Sequence, residues 1–341
     1  MTSRKKKLLW QVPFLLLLIV GTILIIRQQQ AMPYQKNTGN IFGTTYTIVY
    51  QSDKNLQSDI VAELANVDQT LSAFNPNSVI SRINRNEDVE CPEMFTEVFN
   101  LAQQISRETG GAFDITVAPL VNLWGFGFKT GSTPSPEAVD SLKPFVGYQK
   151  VEMTRDGYVR KADARTMLDC SAIAKGYGVD RVARLLRQHD LQNFMVEIGG
   201  EVVTHGKNQD QKPWKIGVAK PSDQPDGATA ELQTILNITD KAMATSGNYR
   251  NFYYKGGKKY AHTIDPQTGF PVQHSLLSAT VIAPTCATAD AYATAFMVMG
   301  TARAQTLLKK HPELKAYLIY TDSNGRMQTW QSPEMDKYIN Q

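Results

Sequence analysis

The chain has little cysteine, with Cys91, Cys170 and Cys286 as the only three in 341 residues. They are odd in number and far apart, which argues against a disulfide framework even in an oxidising compartment. No two of them have the spacing of zinc ligands or of a redox pair. Neither disulfides nor a structural zinc ion are therefore expected to hold this fold together.

Common nucleotide-binding and hydrolase motifs are also missing. There is no Walker-type loop and no Gly-x-Ser-x-Gly elbow, which disfavours an acyl hydrolase. Residues 125–131 are rich in glycine, but their spacing differs from that of the G-x-G-x-x-G dinucleotide fingerprint. If this protein binds a nucleotide, it does so by another design.

The excess of positive charge comes from the first residues. Residues 1–30 hold five of the 36 basic residues and none of the 32 acidic ones, so the remainder carries 31 basic against 32 acidic residues. No basic stripe with interleaved aromatic residues is present in the rest of the chain. The alkaline isoelectric point therefore does not indicate nucleic-acid binding.

The N-terminus has the pattern of a signal anchor. A basic tail (1–7) precedes an apolar run (8–26), which is just long enough to cross a bilayer as a helix. The basic cluster predicts a cytoplasmic N-terminus, a single pass through the inner membrane, and the main domain (41–341) on the extracytoplasmic side after a short tether (27–40). A cleaved signal peptide fits the same pattern and stays open as an alternative.

Beyond the tether, the sequence predicts an α+β fold, as a single large mixed α/β domain. The predicted strands neither alternate strictly with helices nor form one block, which disfavours a doubly wound sheet. Helices are predicted at 56–71, 93–108, 171–188, around Asp290 and near 301–310. Strands are predicted at 44–50, 193–204, 213–219, 230–238, 276–283 and 315–321.

One alanine-rich segment (286–295) carries Asp290 and Thr294, which share a face of a helix because they are four residues apart. A carboxylate beside a hydroxyl is hard-oxygen chemistry that suits Mg²⁺. An ordinary helix with an acidic residue near its start and a core-facing threonine would have the same sequence.

Residues 169–176 lead into another predicted helix, with Ser171 as a candidate cap and Lys175 about one turn in. Amides at a helix start attract phosphate, and the lysine would add a charge. A capped surface helix with a solvated lysine explains this segment equally well. His262, in a strand that runs into an Asp-Pro turn, is by itself more typical of a structural histidine.

Taken together and in order, the segments of this chain resemble the ApbE family of FAD:protein FMN transferases. The resemblance extends over nearly all of the chain from residue 40 to about 330. Its motifs are IFGTTY (41–46), LSAFNPNS (71–78), GGAFD (110–114), PLVNLWGFG (119–127), the 169–176 segment, IGGE (198–201), TSG (245–247), 262–271 and 289–295.

The resemblance implies binding of FAD and Mg²⁺ and transfer of FMN, through its phosphate, to a Thr or Ser of a target protein, with release of AMP. It implies His262 as general base, with Lys175 assisting. The implied metal ligands are Asp290, Thr294 and the backbone of Ala172 and Ala293. The implied FAD-site residues are Phe42, Phe74, Ala112, Phe113, Asp114, Asp169, Lys175 and Ile264.

Two residues depart from the family pattern: Phe42 replaces a usual Met, and Cys170 replaces an aliphatic residue. Both changes keep an apolar side chain, so flavin packing should survive. The implied acceptors are exported, flavin-carrying subunits of membrane electron-transfer complexes. An FAD pyrophosphatase and a non-catalytic FAD-binding protein are the alternatives. The sequence does not identify the acceptor, its Thr or Ser, or the oligomeric state.

Overall fold

The structure is a computed structural model that describes six ranges of the chain. These are residues 11–23, 32–127, 134–221, 231–248, 252–255 and 258–340.

An antiparallel sheet of eight strands forms the centre of the molecule, in the order β1-β2-β5-β6-β9-β12-β13-β14. Its strands are β1 (Tyr34–Ile41), β2 (Thr44–Gln51), β5 (Phe194–Ile198), β6 (Glu201–His205), β9 (Lys241–Gly247), β12 (Leu276–Ala283), β13 (Lys315–Thr321) and β14 (Met327–Gln331). Three two-stranded sheets flank it. They pair β3 (Val151–Met153) with β4 (Val159–Lys161), β7 (Trp214–Ala219) with β8 (Leu232–Ile238), and β10 (Phe252–Lys255) with β11 (Lys258–Ala261).

Helices cover one face of the large sheet. After α1 (residues 11–23) come α2 (Gln57–Leu71), α3 (Val79–Asn84), α4 (Glu93–Glu108), α5 (Ala118–Leu123), α6 (Pro136–Leu142), α7 (Ser171–Gln188) and α8 (Cys286–Leu308). Short 3-10 helices span Lys143–Phe145, Tyr148–Lys150 and Met335–Tyr338.

Successive side chains of a strand point to opposite faces of the sheet, so neighbouring residues pack in different hydrophobic clusters. In β13, Ala316 and Leu318 belong to the main core with α4, α7 and α8, whereas Tyr317 and Ile319 pack with the β7–β8 pair. Helices on one face and a small sheet on the other give a layered antiparallel architecture. This confirms the α+β prediction.

Most of the predicted helices and strands are present in the structure, but several of its elements were not predicted, namely α3, α5, α6, β3, β4, β9, β10 and β14. Other differences concern segments for which a prediction was made. Residues 34–40, expected in a tether, form most of β1, because their polar sequence gains its strand structure from pairing with β2. The predicted strand 193–204 is two strands, separated by Gly199 and Gly200. One continuous α8 contains both predicted C-terminal helices, with a non-helical Gly300 between them. Ser171 was the predicted cap of α7, but the side chain that accepts a hydrogen bond at the start of this helix is that of Asp169. The donor is the backbone amide of Ser171.

The predicted N-terminal anchor lies only partly within the described ranges. Residues 1–10 and 24–31 fall outside them, so the basic tail and the ends of the 8–26 segment are not described. Between them, α1 exposes its apolar side chains, such as Leu17 at 70%. Among the described helices, none is both long enough and apolar enough to cross a membrane.

Candidate active site

Helices α7 and α8 pack tightly against each other at Gly176, and this contact positions the site. A Cβ atom at Gly176 would lie 2.4 Å from the Cys286 carbonyl oxygen and 2.9 Å from the Cα of Ala287. Any larger residue would therefore push the helices apart. A residue without a Cβ atom is therefore required at position 176 for the packing of these two helices.

Asp180 holds the start of α8 against α7. Its two carboxylate oxygens accept hydrogen bonds from the amides of Cys286 and Ala287, each at 2.8 Å. Burial raises the pKa of Asp180 to about 6, although these two bonds oppose the rise. A cavity of about 280 Å³ lies beside this contact, and none of the predicted site residues lines it.

One turn further along α8, Asp290 reaches the first turns of α7. Its side chain is 2% exposed, and its Oδ2 atom accepts a hydrogen bond from the Gly176 amide at 3.0 Å. In a regular helix this amide would donate to the carbonyl of Ala172. The Asp290 carboxylate therefore competes with the Ala172 carbonyl for the Gly176 N–H group. This carbonyl is itself one of the predicted metal ligands.

Lys175 places a positive charge between two buried carboxylates. Its Nζ atom lies 3.1 Å from Glu201 Oε1 and 3.7 Å from Asp290 Oδ1. Burial alone would lower the pKa of Lys175, but the carboxylates of Asp290 and Glu201 outweigh it and raise the pKa. Burial raises the pKa of Glu201, and the lysine opposes this. We assign the proton to Lys175, because an ammonium and a carboxylate at 3.1 Å form a charge-assisted bond.

Polar side chains at the end of β9 link Thr294 to the segment that carries His262. Thr294 Oγ1 lies 3.2 Å from Ser246 Oγ, and Asn248, two residues on, accepts a 2.7 Å bond from the Thr263 hydroxyl. His262 directly precedes Thr263. The structure thus connects the predicted base to the predicted metal ligands through one strand end.

The His262 ring packs edge-on against Phe126, with ring centroids 6.4 Å apart. Phe126 belongs to the glycine-rich segment 125–131, whose role was open from its sequence. Nearby, the Trp124 indole donates to the Gly269 carbonyl at 2.7 Å. The segments 119–127 and 262–271 therefore form one wall of the site.

The GGAFD motif folds into a tight polar turn. Asp114 accepts bonds from the amide and hydroxyl of Thr116, at 2.8 and 2.7 Å, and from the Tyr148 amide at 2.7 Å. Burial raises the pKa of Asp114, and these bonds oppose the rise. Asp114, Gly110 and Gly111 line a cavity of about 250 Å³. The carboxylate thus shapes this cavity by holding its wall in place.

The remaining predicted FAD-site residues differ in accessibility. Phe42 occupies the β1–β2 turn with a φ of +52° and packs against α7 at Gly178. Phe74 is 63% exposed. Asp169 is half-buried beside the start of α7. Three are buried: Ala112, Phe113 in the main core, and Ile264 in a small cluster around Trp124.

The structure thus brings Lys175 of α7 and Asp290 of α8 together. Thr294 lies one turn beyond Asp290 in α8, and Ala172 lies one turn before Gly176 in α7. Sequence analysis did not select Glu201 or Ser246 as site residues, although both lie in motifs that it noted. Among the described residues, no cluster of three or more His, Cys, Asp or Glu side chains could hold a metal ion. A site with one carboxylate, a hydroxyl and backbone carbonyls would not form such a cluster.

Comparisons with known proteins identify a family that this chain matches over most of its length. The ApbE family matches residues 42–318 of the chain. The FAD:protein FMN transferase of Haemophilus influenzae is 37% identical over 330 residues, covering 90% of this chain and 94% of that protein. The FAD:protein FMN transferase of Escherichia coli K12 is 34% identical over 292 residues, covering 83% of this chain and 82% of that protein.

A solved structure shows the same fold. The flavin transferase ApbE from Vibrio cholerae superposes with a TM-score of 0.81 at 32% identity, covering 90% of this chain and 99% of that chain.

Proposed function

The chain belongs to the ApbE family, and we propose that it performs the reaction for which its relatives are named. It is an enzyme, an FAD:protein FMN transferase, which takes FAD as substrate and a protein as acceptor. The observation that carries the proposal is the helix crossing at Gly176, where Asp290 and Lys175 lie 3.7 Å apart.

We propose Mg²⁺ as the metal of this site. Asp290, Thr294 and the carbonyls of Ala172 and Ala293 would hold it, and a set made only of oxygens suits this hard cation. Asp290 fits the role because its carboxylate is buried between the two helices that carry the other proposed ligands, within 3.0 Å of the Gly176 amide of α7. When bound, Mg²⁺ would neutralise charge on the diphosphate.

Residues of the chain would carry the remaining steps. His262 would take the proton from the acceptor hydroxyl, since an imidazole titrates near neutral pH. The hydroxyl oxygen then bonds to the FMN phosphorus, the bond from that phosphorus to the bridging oxygen breaks, and AMP leaves with that oxygen. Lys175 and the N-terminus of α7 would stabilise the phosphate charge.

The flavin and the adenosine part need apolar and tightly shaped surfaces. We propose that Phe42 and Phe74 supply apolar contacts, while Asp169 and the turn of Ala112, Phe113 and Asp114 shape the walls. Ile264 supports the opposite wall from the Trp124 cluster. The positive φ of Phe42 is a strained conformation, of the kind that persists at binding sites.

We also propose that α1 anchors the enzyme in the inner membrane, with the catalytic domain on the extracytoplasmic side. The support is its run of exposed apolar side chains, including Leu15 at 58% and Leu17 at 70%. The acceptors would be flavin-carrying subunits on that same side. Extraction of membranes with alkaline carbonate tests this: an anchored chain stays with the membrane, whereas a chain cleaved after a signal peptide is released and begins beyond residue 26.

The transferase is tested with the full chain, FAD, Mg²⁺ and a candidate flavin-carrier domain. A denaturing gel is read for flavin fluorescence on the acceptor, with and without a chelator. Asp290→Ala is compared with Asp210→Ala, which removes an exposed carboxylate from the turn before β7. We expect labelling by wild type and Asp210→Ala, and none with chelator or Asp290→Ala.

The other outcomes separate the alternatives. Normal labelling by Asp290→Ala would refute the metal assignment. Release of FMN and AMP without a labelled acceptor would favour the pyrophosphatase. Bound FAD with neither product would indicate a flavin-binding protein.

A further inference from the structure

Glu201 is a buried carboxylate that the proposed reaction does not use. It follows Gly199 and Gly200, whose φ angles of +63° and +105° turn the chain sharply from β5 into β6. Glu197 Oε1 accepts the Gly200 amide at 2.8 Å and so braces this turn. The turn directs the Glu201 side chain inward, where it is 4% exposed.

Lys175 is the cation that compensates Glu201. One carboxylate oxygen, Oε1, lies 3.1 Å from Lys175 Nζ, while the other, Oε2, is buried without a hydrogen-bond partner among the described residues. A buried charge without compensation is strongly unfavourable. The ion pair with Lys175 therefore stabilises Glu201, and Glu201 in turn restrains the lysine.

Lys175 is shared unequally between its two carboxylates. It lies 3.1 Å from Glu201 and 3.7 Å from Asp290, so the ammonium is closer to the residue that has no proposed metal role. Without the Glu201 charge, the attraction of Asp290 would be the strongest that remains at this ammonium. A lysine paired closely with Asp290 would compete with any metal cation for that carboxylate.

We propose that Glu201 is a positioning residue that holds Lys175 away from Asp290 and so keeps the Asp290 carboxylate available to Mg²⁺. This inference rests on the proposed metal site. Glu201 touches neither the substrate nor the metal in this role. It acts through Lys175, and it also keeps the lysine aimed beside the site where the diphosphate would bind.

The test is Mg²⁺ binding by the full chain in detergent, measured by calorimetry without FAD or acceptor. We expect Glu201→Gln to weaken Mg²⁺ binding about tenfold, the scale on which residues supporting a metal ligand act. Glu201→Asp keeps the charge and should restore most of the affinity. Glu197→Gln, in the same turn, keeps an oxygen for the Gly200 amide and should bind Mg²⁺ like wild type.

A double substitution tests whether Glu201 acts through the lysine. In a Lys175→Met background, Glu201→Gln should no longer change Mg²⁺ affinity, because no ammonium is left to restrain. The proposal is overturned if Glu201→Gln weakens Mg²⁺ binding by the same factor with Lys175 and with Met at position 175. It is also overturned if Glu201→Gln alone binds Mg²⁺ as tightly as wild type. If Lys175→Met does not fold, the comparison of Glu201→Gln with Glu201→Asp decides, and equal losses refute the role of the charge.

Failure of this inference is distinguishable from failure of the proposed function. If wild type binds Mg²⁺ and transfers FMN but Glu201→Gln binds Mg²⁺ equally well, only the role of Glu201 is refuted. If wild type does not bind Mg²⁺ at all, both the metal site and this inference are wrong.

Discussion

The amide nitrogen of Gly176 and the Oδ2 atom of Asp290 are 3.0 Å apart, across a tight contact between α7 and α8. The contact exists because residue 176 has no Cβ atom, which would otherwise collide with the backbone of Cys286. One missing methyl group thus places a carboxylate of one helix against the first turns of the other.

We therefore predict that Gly176→Ala destabilises the protein. Inside a helix this change ordinarily stabilises by up to about 1 kcal/mol, whereas overpacking costs about 1–3 kcal/mol. The second effect should dominate because the colliding atoms belong to backbone. Urea unfolding measures the difference, and an unchanged or higher free energy of unfolding would contradict the close packing described here.

Two substitutions at Thr294 test its hydroxyl. Thr294→Val keeps the shape but removes the oxygen that lies 3.2 Å from Ser246, whereas Thr294→Ser keeps the oxygen. We expect Val to weaken Mg²⁺ binding by about tenfold or more, and Ser to stay close to wild type. Calorimetry with Mg²⁺ provides the measurement. Equal affinities for all three proteins would remove Thr294 from the ligand set.

His262→Ala should slow FMN transfer by about 100-fold or more, the usual contribution of a general base, with little change in FAD affinity. Single-turnover transfer and flavin fluorescence titration measure the two quantities. His189→Ala is the matched control, since His189 lies at the far end of α7 beside Asp59. A loss confined to FAD affinity would reassign His262 to binding.

Asp180 predicts a specific pH dependence of stability. Burial raises its pKa from 3.8 to about 6 in the folded protein. Between these values the folded state keeps a proton that the unfolded state releases, so this group's contribution to stability falls as pH rises from about 4 to about 6. Asp180→Asn cannot titrate. The free energy of unfolding of wild type, minus that of the variant, should therefore decrease over this range in urea unfolding experiments.

Asp163→Asn is a control with the opposite sign. Hydrogen bonds from Arg165 hold the pKa of the half-buried Asp163 down, at about 2. The stability that Asp163 contributes is present above the unfolded pKa of 3.8 and is lost as pH falls towards 2. The same subtraction for Asp163 should therefore rise slightly just above pH 4 and be flat from about pH 5 to 6, whereas that for Asp180 falls. If the free-energy differences for Asp180→Asn and Asp163→Asn change with pH in the same way, the pH dependence does not come from Asp180.

Local patterns predicted many of the elements. The bounds of α4 and α7 match their predictions, since apolar residues recur at helical spacing and a Thr-Gly-Gly stop ends α4. The strand β1 was missed because its sequence, YQKNTGNI, has little strand character of its own. Its structure comes from eight paired residues in β2.

By itself the sequence determined the α+β class, the longer helices, many of the strands, and the candidate pair of Asp290 and Thr294, because these depend on residues close together in the chain. Only the tertiary structure decided which distant groups meet. Gly176 and Asp290 are 114 residues apart in the chain, and Asp180 and Cys286 are 106 apart. Glu201 became visible as a partner of Lys175 only through the fold, because charge and hydrogen bonding act across space whereas sequence periodicity records only neighbours along the chain.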